Sequence, residues 1–114
     1  MGNGIEVERV AGGIDVLTLR GEHDLSTATD VSRRIESALE SASGLAIDLS
    51  ETTFIDSAVL KELLRARAEF ADRGVRLVLA AVPVPVRRLM DLTRTSELFA
   101  HAESAETALT QLNG

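Results

Sequence analysis

Apolar and polar side chains alternate from Ile5 to Val10, with Ile5 and Val7 on one side and Glu6 and Glu8 on the other. That period of two predicts a half-exposed strand. Ile14 to Arg20 is a second run rich in strand formers. The short Ala11-Gly12-Gly13 link between them predicts an antiparallel hairpin, which Gly21 is expected to end. The period then changes to three and four. Ala28, Val31, Ile35, Ala38, Leu39 and Ala42 make one apolar stripe, predicting a helix with Asp24 or Ser26 as its cap and Gly44 at its end.

Leu45 to Leu49 is a short apolar run holding one Asp, as expected of a buried central strand. Glu51 to Ile55 reads as a loop, and its two bulky residues, Phe54 and Ile55, are expected to turn inward. Asp56 or Ser57 opens a second helix with the stripe Leu60, Leu63, Leu64, Arg67 (through its stem), Phe70 and Ala71, ended by Gly74. Val75 to Val82 is the next strand, stopped by Pro83 and Pro85, and Pro85 suits the first position of a short helix through Leu92. Leu98-Phe99 is expected as a brief last strand. Ser104 caps a final helix facing inward through Ala105, Ala108, Leu109 and Leu112. The order predicts an α/β fold: an N-terminal hairpin, then alternating helices and strands in a mixed, mostly parallel sheet with helices packed on it.

Composition narrows the function classes. The 114 residues suit one domain spanning 1–114, with a core from about 5 to 112. There is no Cys, which removes disulfides, thiolate chemistry and cysteine–zinc sites. A net charge of −6 argues against direct binding to nucleic acid or anionic membrane. Three Phe with no Tyr or Trp give no platform for stacking bases. No apolar run approaches a membrane span, and Met-Gly-Asn-Gly-Ile-Glu lacks the regions of a signal peptide, so a cytoplasmic location is expected.

Candidate chemistry is sparse. His23 and His101 have no second ligand at a metal-type spacing and read as surface or half-buried residues; no metal or cofactor is expected. Gly12-Gly13 lies in a hairpin turn, not between a strand and a helix, so no phosphate-cradling loop is present. Ser57 opens a helix as a hydrolase nucleophile does, but Ile55-Asp56-Ser57-Ala58-Val59 lacks the glycines of a sharp elbow. Glu22, Asp24, Asp48 and Asp56 fall near strand ends, where paired carboxylates would do acid–base work and single ones would serve as caps or surface charge. Ser57 is also a candidate for modification. The free N–H groups of a helix start tolerate negative charge, and a phosphoryl group adds about −1.5 to −2. A partner docked there would lose a hundredfold in affinity for only about 2.7 kcal/mol.

Four stretches together resemble the STAS-domain family, the bacterial anti-sigma factor antagonists. They are Leu19-Arg20-Gly21-Glu22-His23-Asp24-Leu25-Ser26-Thr27-Ala28, Ile47-Asp48-Leu49-Ser50, Phe54-Ile55-Asp56-Ser57-Ala58-Val59-Leu60, and Leu77 to Ala80 with Pro85 to Met90. The resemblance runs from about Val7 to Leu109. It implies a non-enzymatic, bacterial partner-switching module in transcription regulation and stress response. The unphosphorylated form binds an anti-sigma factor that is often also a serine kinase, releasing a sigma factor. Phosphorylation of Ser57 breaks the complex and a separate phosphatase resets it, with ATP as the kinase's ligand. The resemblance places Ser57 as the phosphorylated residue and Asp24, Asp56, Ser57, Ala58, Val59 and Lys61 at the partner surface. Two departures are notable. Val59 stands where the family commonly has glycine, and its β-branched bulk is expected to narrow the partner surface or alter which kinase fits. Thr93-Arg94-Thr95-Ser96 replaces a glycine turn.

Two other functions compete with this one. One is a constitutive STAS subunit of a lipid-transport or stress-sensing complex, to which Val59 lends weight. Another is a receiver domain with Asp48 as acceptor, which the initial hairpin and the missing acidic pair oppose. Ser26, Ser50, Thr52 and Thr53 are further candidate phosphoacceptors.

Overall fold

The computed structural model describes residues 3–114, so the first two residues of the stretch read for a targeting signal lie outside it. The hairpin forms as expected. β1 (Gly4–Val10) pairs antiparallel with β2 (Ile14–His23), with Val10 opposite Ile14 and Gly4 opposite Arg20. Gly21 does not end the strand. It takes φ 80°, a conformation that costs glycine little, and β2 continues to His23.

The residues read as a loop, 51–55, instead contain β4 (Thr52–Ile55), which pairs parallel with the end of β2. Gly21 lies opposite Thr52 and Glu22 opposite Phe54, so the register shifts by one and Thr53 is the extra residue of a bulge. Thr52 pins this pairing: its buried hydroxyl donates to the Leu19 carbonyl at 2.7 Å. Because side chains alternate along a strand, Phe54 and Ile55 part company. Ile55 is fully buried, whereas Phe54 is 45% exposed and does not turn inward.

The rest of the sheet is parallel. β3 (Gly44–Asp48) lies between β2 and β5 (Arg76–Ala80), and β6 (Ala100–Ala102) closes the far edge, giving the order β1-β2-β3-β5-β6 with β4 beside β2. The last strand thus starts one residue after the expected Leu98-Phe99; Ser96–Leu98 forms a 3-10 turn first. Gly44 is the first residue of β3, not a helix end. A Cβ there would come within 3.2 Å of Leu112 Cδ2, so glycine lets the C-terminal helix sit close to the sheet.

Among the described residues four helices cover the sheet: α1 (Leu25–Ser41), α2 (Ser57–Asp72), α3 (Val84–Leu92) and α4 (Ala105–Asn113). On one face the α1 stripe, all of it buried, packs with Leu17, Leu45, Ile47 and Leu79 of the sheet and with Leu60, Leu63 and Phe70 of α2. On α2, Arg67 and Ala71 are exposed; Val59 and Ala66 occupy the buried face instead. Val86 and Met90 of α3 join the same core. On the other face, Ala46, Val78 and Ala80 meet Ala108 of α4, with Leu112 packed alongside. Small residues on both sides allow this close layer. Pro83 caps α3, so Pro85 is its second residue rather than its first. Arg94 adopts φ 58°, supplying without glycine the left-handed turn after α3.

Candidate functional site

Every helix starts where a parallel strand ends: α1 after β2, α2 after β4, α3 after β5 and α4 after β6. Four helix N-termini therefore share one edge of the sheet. This edge holds Asp24, Asp56, Ser57, Ala58 and Lys61, and it is also where open parallel sheets offer ligand and partner sites.

Asp24 caps α1. Its Oδ1 accepts from the Ser26 N–H at 2.9 Å and from the Ser26 hydroxyl at 2.6 Å, while its own N–H donates to Thr27 Oγ1 at 3.1 Å. These bonds favour the charged form. The carboxyl is held below the ordinary range, first by the Ser26 hydroxyl and then by the Ser26 N–H. Asp56 caps α2, with Oδ1 accepting from the Val59 N–H at 3.0 Å. Its other oxygen, Oδ2, accepts from the N–H of Leu25, the first residue of α1, at 3.1 Å. Asp48 holds the turn after β3, accepting from the Ser50 N–H at 3.0 Å. These carboxylates are spent on backbone N–H groups, the arrangement of caps and turns rather than of an acid–base pair.

His23 is neither a surface nor a half-buried residue: its exposure is 0%. Nε2 lies 3.1 Å from the Gly4 carbonyl and 3.0 Å from that of Arg20, so it must donate to them. Nδ1 is 3.1 Å from Thr27 Oγ1. The ring thereby joins β1, β2 and the first turn of α1. A buried polar ring of this kind is retained through satisfied hydrogen bonds, which the sequence does not display.

Ser57 is the first residue of α2 and is exposed; Lys61, four positions on and hence on the same side, is exposed too. Ala58 is half-buried. Val59 departs from expectation: it is 0% exposed and belongs to the core, so its side chain cannot narrow a partner surface. Among the other candidate acceptors, Thr52 is buried, while Ser26, Ser50 and Thr53 are exposed. The exposure of three apolar residues at this edge escaped the sequence reading: Leu25 at 76%, beginning α1, Val84 at 64%, beginning α3, and Phe54 at 45%, two residues before Asp56. Reading 52–55 as a strand would have exposed Phe54, since alternation forces Phe54 and Ile55 to opposite faces. Among the described residues no cluster of three or more metal-binding side chains occurs, and no helix is long and apolar enough to cross a membrane.

The fold has counterparts. The structure is similar to that of an anti-sigma factor antagonist from Mycobacterium paratuberculosis, with TM-score 0.84 and 27% identity over 99% of this chain and 96% of that one. It also resembles the Bacillus cell fate determinant SpoIIAA in its phosphorylated form (TM-score 0.76, 20% identity, 96% of this chain and 99% of that one). An anti-sigma-factor antagonist (STAS) domain protein from Planctomyces limnophilus matches at TM-score 0.76 and 19% identity, over 95% and 96% of the two chains. The last two likenesses concern the fold. A family model described as "Mlab, STAS domain" matches residues 8–100. With most of its length matched by that model and its sheet and helices arranged as in these structures, the chain belongs to the STAS domain family.

Proposed function

We propose that this chain is an anti-sigma factor antagonist that switches partners through Ser57. The observation that carries the reading is an exposed serine at the first position of a carboxylate-capped helix, on the edge where four helices begin. The likeness at 27% identity to an anti-sigma factor antagonist supports it. The unphosphorylated edge binds an anti-sigma factor with serine kinase activity in the cytoplasm. The kinase transfers the γ-phosphoryl group of its ATP to Ser57 Oγ, the hydroxyl proton leaves to solvent and ADP is released. The new dianion sits beside the positive end of α2, which accommodates it without unfolding the domain. A partner seated over the same edge has no such compensation and departs. A phosphatase then hydrolyses phospho-Ser57. The domain is a substrate and a binding module; the transfer chemistry belongs to its partners.

The test is a capture experiment from the source organism's lysate with three baits: wild type, Ser57→Ala and Ser57→Glu. Circular dichroism first establishes that all are folded. Retention of an anti-sigma kinase by the first two and at least tenfold less by the third is the expected result. Equal capture of one partner by all three selects a constitutive subunit instead. Val59, which lent that alternative some weight, lies in the core and does not alter the exposed edge.

A further inference from the structure

The two oxygens of Asp56 serve different helices. Oδ1 holds the Val59 N–H in α2 and Oδ2 holds the Leu25 N–H in α1, at 3.0 and 3.1 Å. The cap of α1, Asp24, is turned to Ser26, so the first N–H of α1 is served from another element. The backbone closes the same junction, with the Asp56 N–H donating to the His23 carbonyl at 3.2 Å. Beneath it, buried His23 is bonded to Thr27 of α1. The two helix starts thus share one anion on a firm mount. Leu25 projects from this junction, 76% exposed and outside the core.

A negative charge added at Ser57 lies one residue from that carboxylate. It repels Asp56 and competes with it for the N–H groups at the start of α2. Competition loosens Oδ1 from the Val59 N–H, and repulsion displaces the carboxylate as a whole, so the bond from the Leu25 N–H to Oδ2 weakens too. We propose that Asp56 is a positioning residue that ties the start of α1 to the start of α2, so that charge placed on Ser57 is transmitted to Leu25 and the surface that responds to modification extends onto α1. The proposal rests on Ser57 as the modified residue, while the coupling itself is a property of this chain without any partner.

The experiment uses isotope-labelled full chain and follows the Leu25 backbone amide resonance in four proteins: wild type, Ser57→Glu, Asp56→Ser and the double variant. Serine at position 56 still caps α2 but is uncharged and too short to reach Leu25. Ser57→Glu is expected to move the Leu25 amide proton upfield, as a weakened hydrogen bond does. In the Asp56→Ser background that movement is expected to fall by at least half. The amide of Ile47, in the central strand, reports that each variant is folded. If Asp56→Ser fails that check, Asp56→Asn replaces it, keeping the size and one acceptor oxygen without the charge. No movement of Leu25 in the wild-type background, or equal movement with and without Asp56, overturns the proposal. A Leu25 response that depends on Asp56, alongside equal partner capture by all three baits, would leave the coupling standing and remove the partner-switching function.

Discussion

A carboxylate in front of a helix has two oxygens, and the two aspartates of this edge use them differently. Asp24 spends one oxygen on Ser26 alone, which is why its carboxyl is held low. A group whose pKa is lower folded than unfolded contributes stability above the unfolded value of about 3.9, and loses it as pH falls through the folded value. Asp24→Ala is therefore expected to lower the thermal midpoint at pH 7, and the gap from wild type should narrow below roughly pH 4. Thermal melts of both proteins between pH 2 and 7 check this. Val59 and Phe54 make the reverse pair. Val59 is buried, so Val59→Ala should cost about 2 kcal/mol in denaturant unfolding while leaving partner capture at wild-type level. Phe54→Ala should change stability by less than about 0.5 kcal/mol, yet weaken partner capture below the wild-type level. The sequence reading placed these two residues the wrong way round. Adjacency to Ser57 says nothing about which way a side chain points; the helix and strand phases decide that.

At the scale of elements, the segment that matters most is β4. Its four residues are too few to carry a convincing alternation, and Glu51 and Thr53 around a bulge disguise the pattern further. What makes it a strand is its neighbour. The end of β2, extended by Gly21 beyond its expected stop, offers free backbone groups, and Thr52 locks the register by donating to Leu19. Thr52→Val keeps the shape and removes the donor, so it should cost about 1–3 kcal/mol in unfolding experiments. If the unfolding free energy stays at the wild-type value, the hydroxyl is not what fixes β4. The longer elements behaved differently. The hairpin and α1 were legible because seven paired residues in one case and a full apolar stripe in the other repeat a period many times. On α2 the stripe from Leu60 leaves out Ala66, which is small, and Val59, which the resemblance assigns to the partner surface instead of the core.

At the scale of the whole molecule, two unlike faces of one sheet set the architecture. Large side chains fill the space toward α1, α2 and α3, and small ones let α4 approach the other face. Gly44 is part of that second layer. Gly44→Val should force Leu112 and α4 outward, costing about 1–3 kcal/mol by overpacking. A thermal midpoint unchanged in that variant would mean that α4 can shift freely. The parallel topology also brings every helix start to one edge, and this gives Ser57 its setting beside the first turn of α1.

Hydrophobic period, glycine and proline positions and capping residues determined by themselves the α/β class, the order of the elements apart from β4, and a start of α2 at Asp56 or Ser57, because each of these is written within a few turns or one hairpin of chain. The burial of His23, the pairing of β4 and the reach of Asp56 from one helix to another were decided only by the tertiary structure. Each depends on a hydrogen-bond partner distant in sequence: Gly4 for His23, Leu19 for Thr52 and Leu25 for Asp56. A periodic pattern reports the face a side chain turns to, but not the donor or acceptor that folding brings to it.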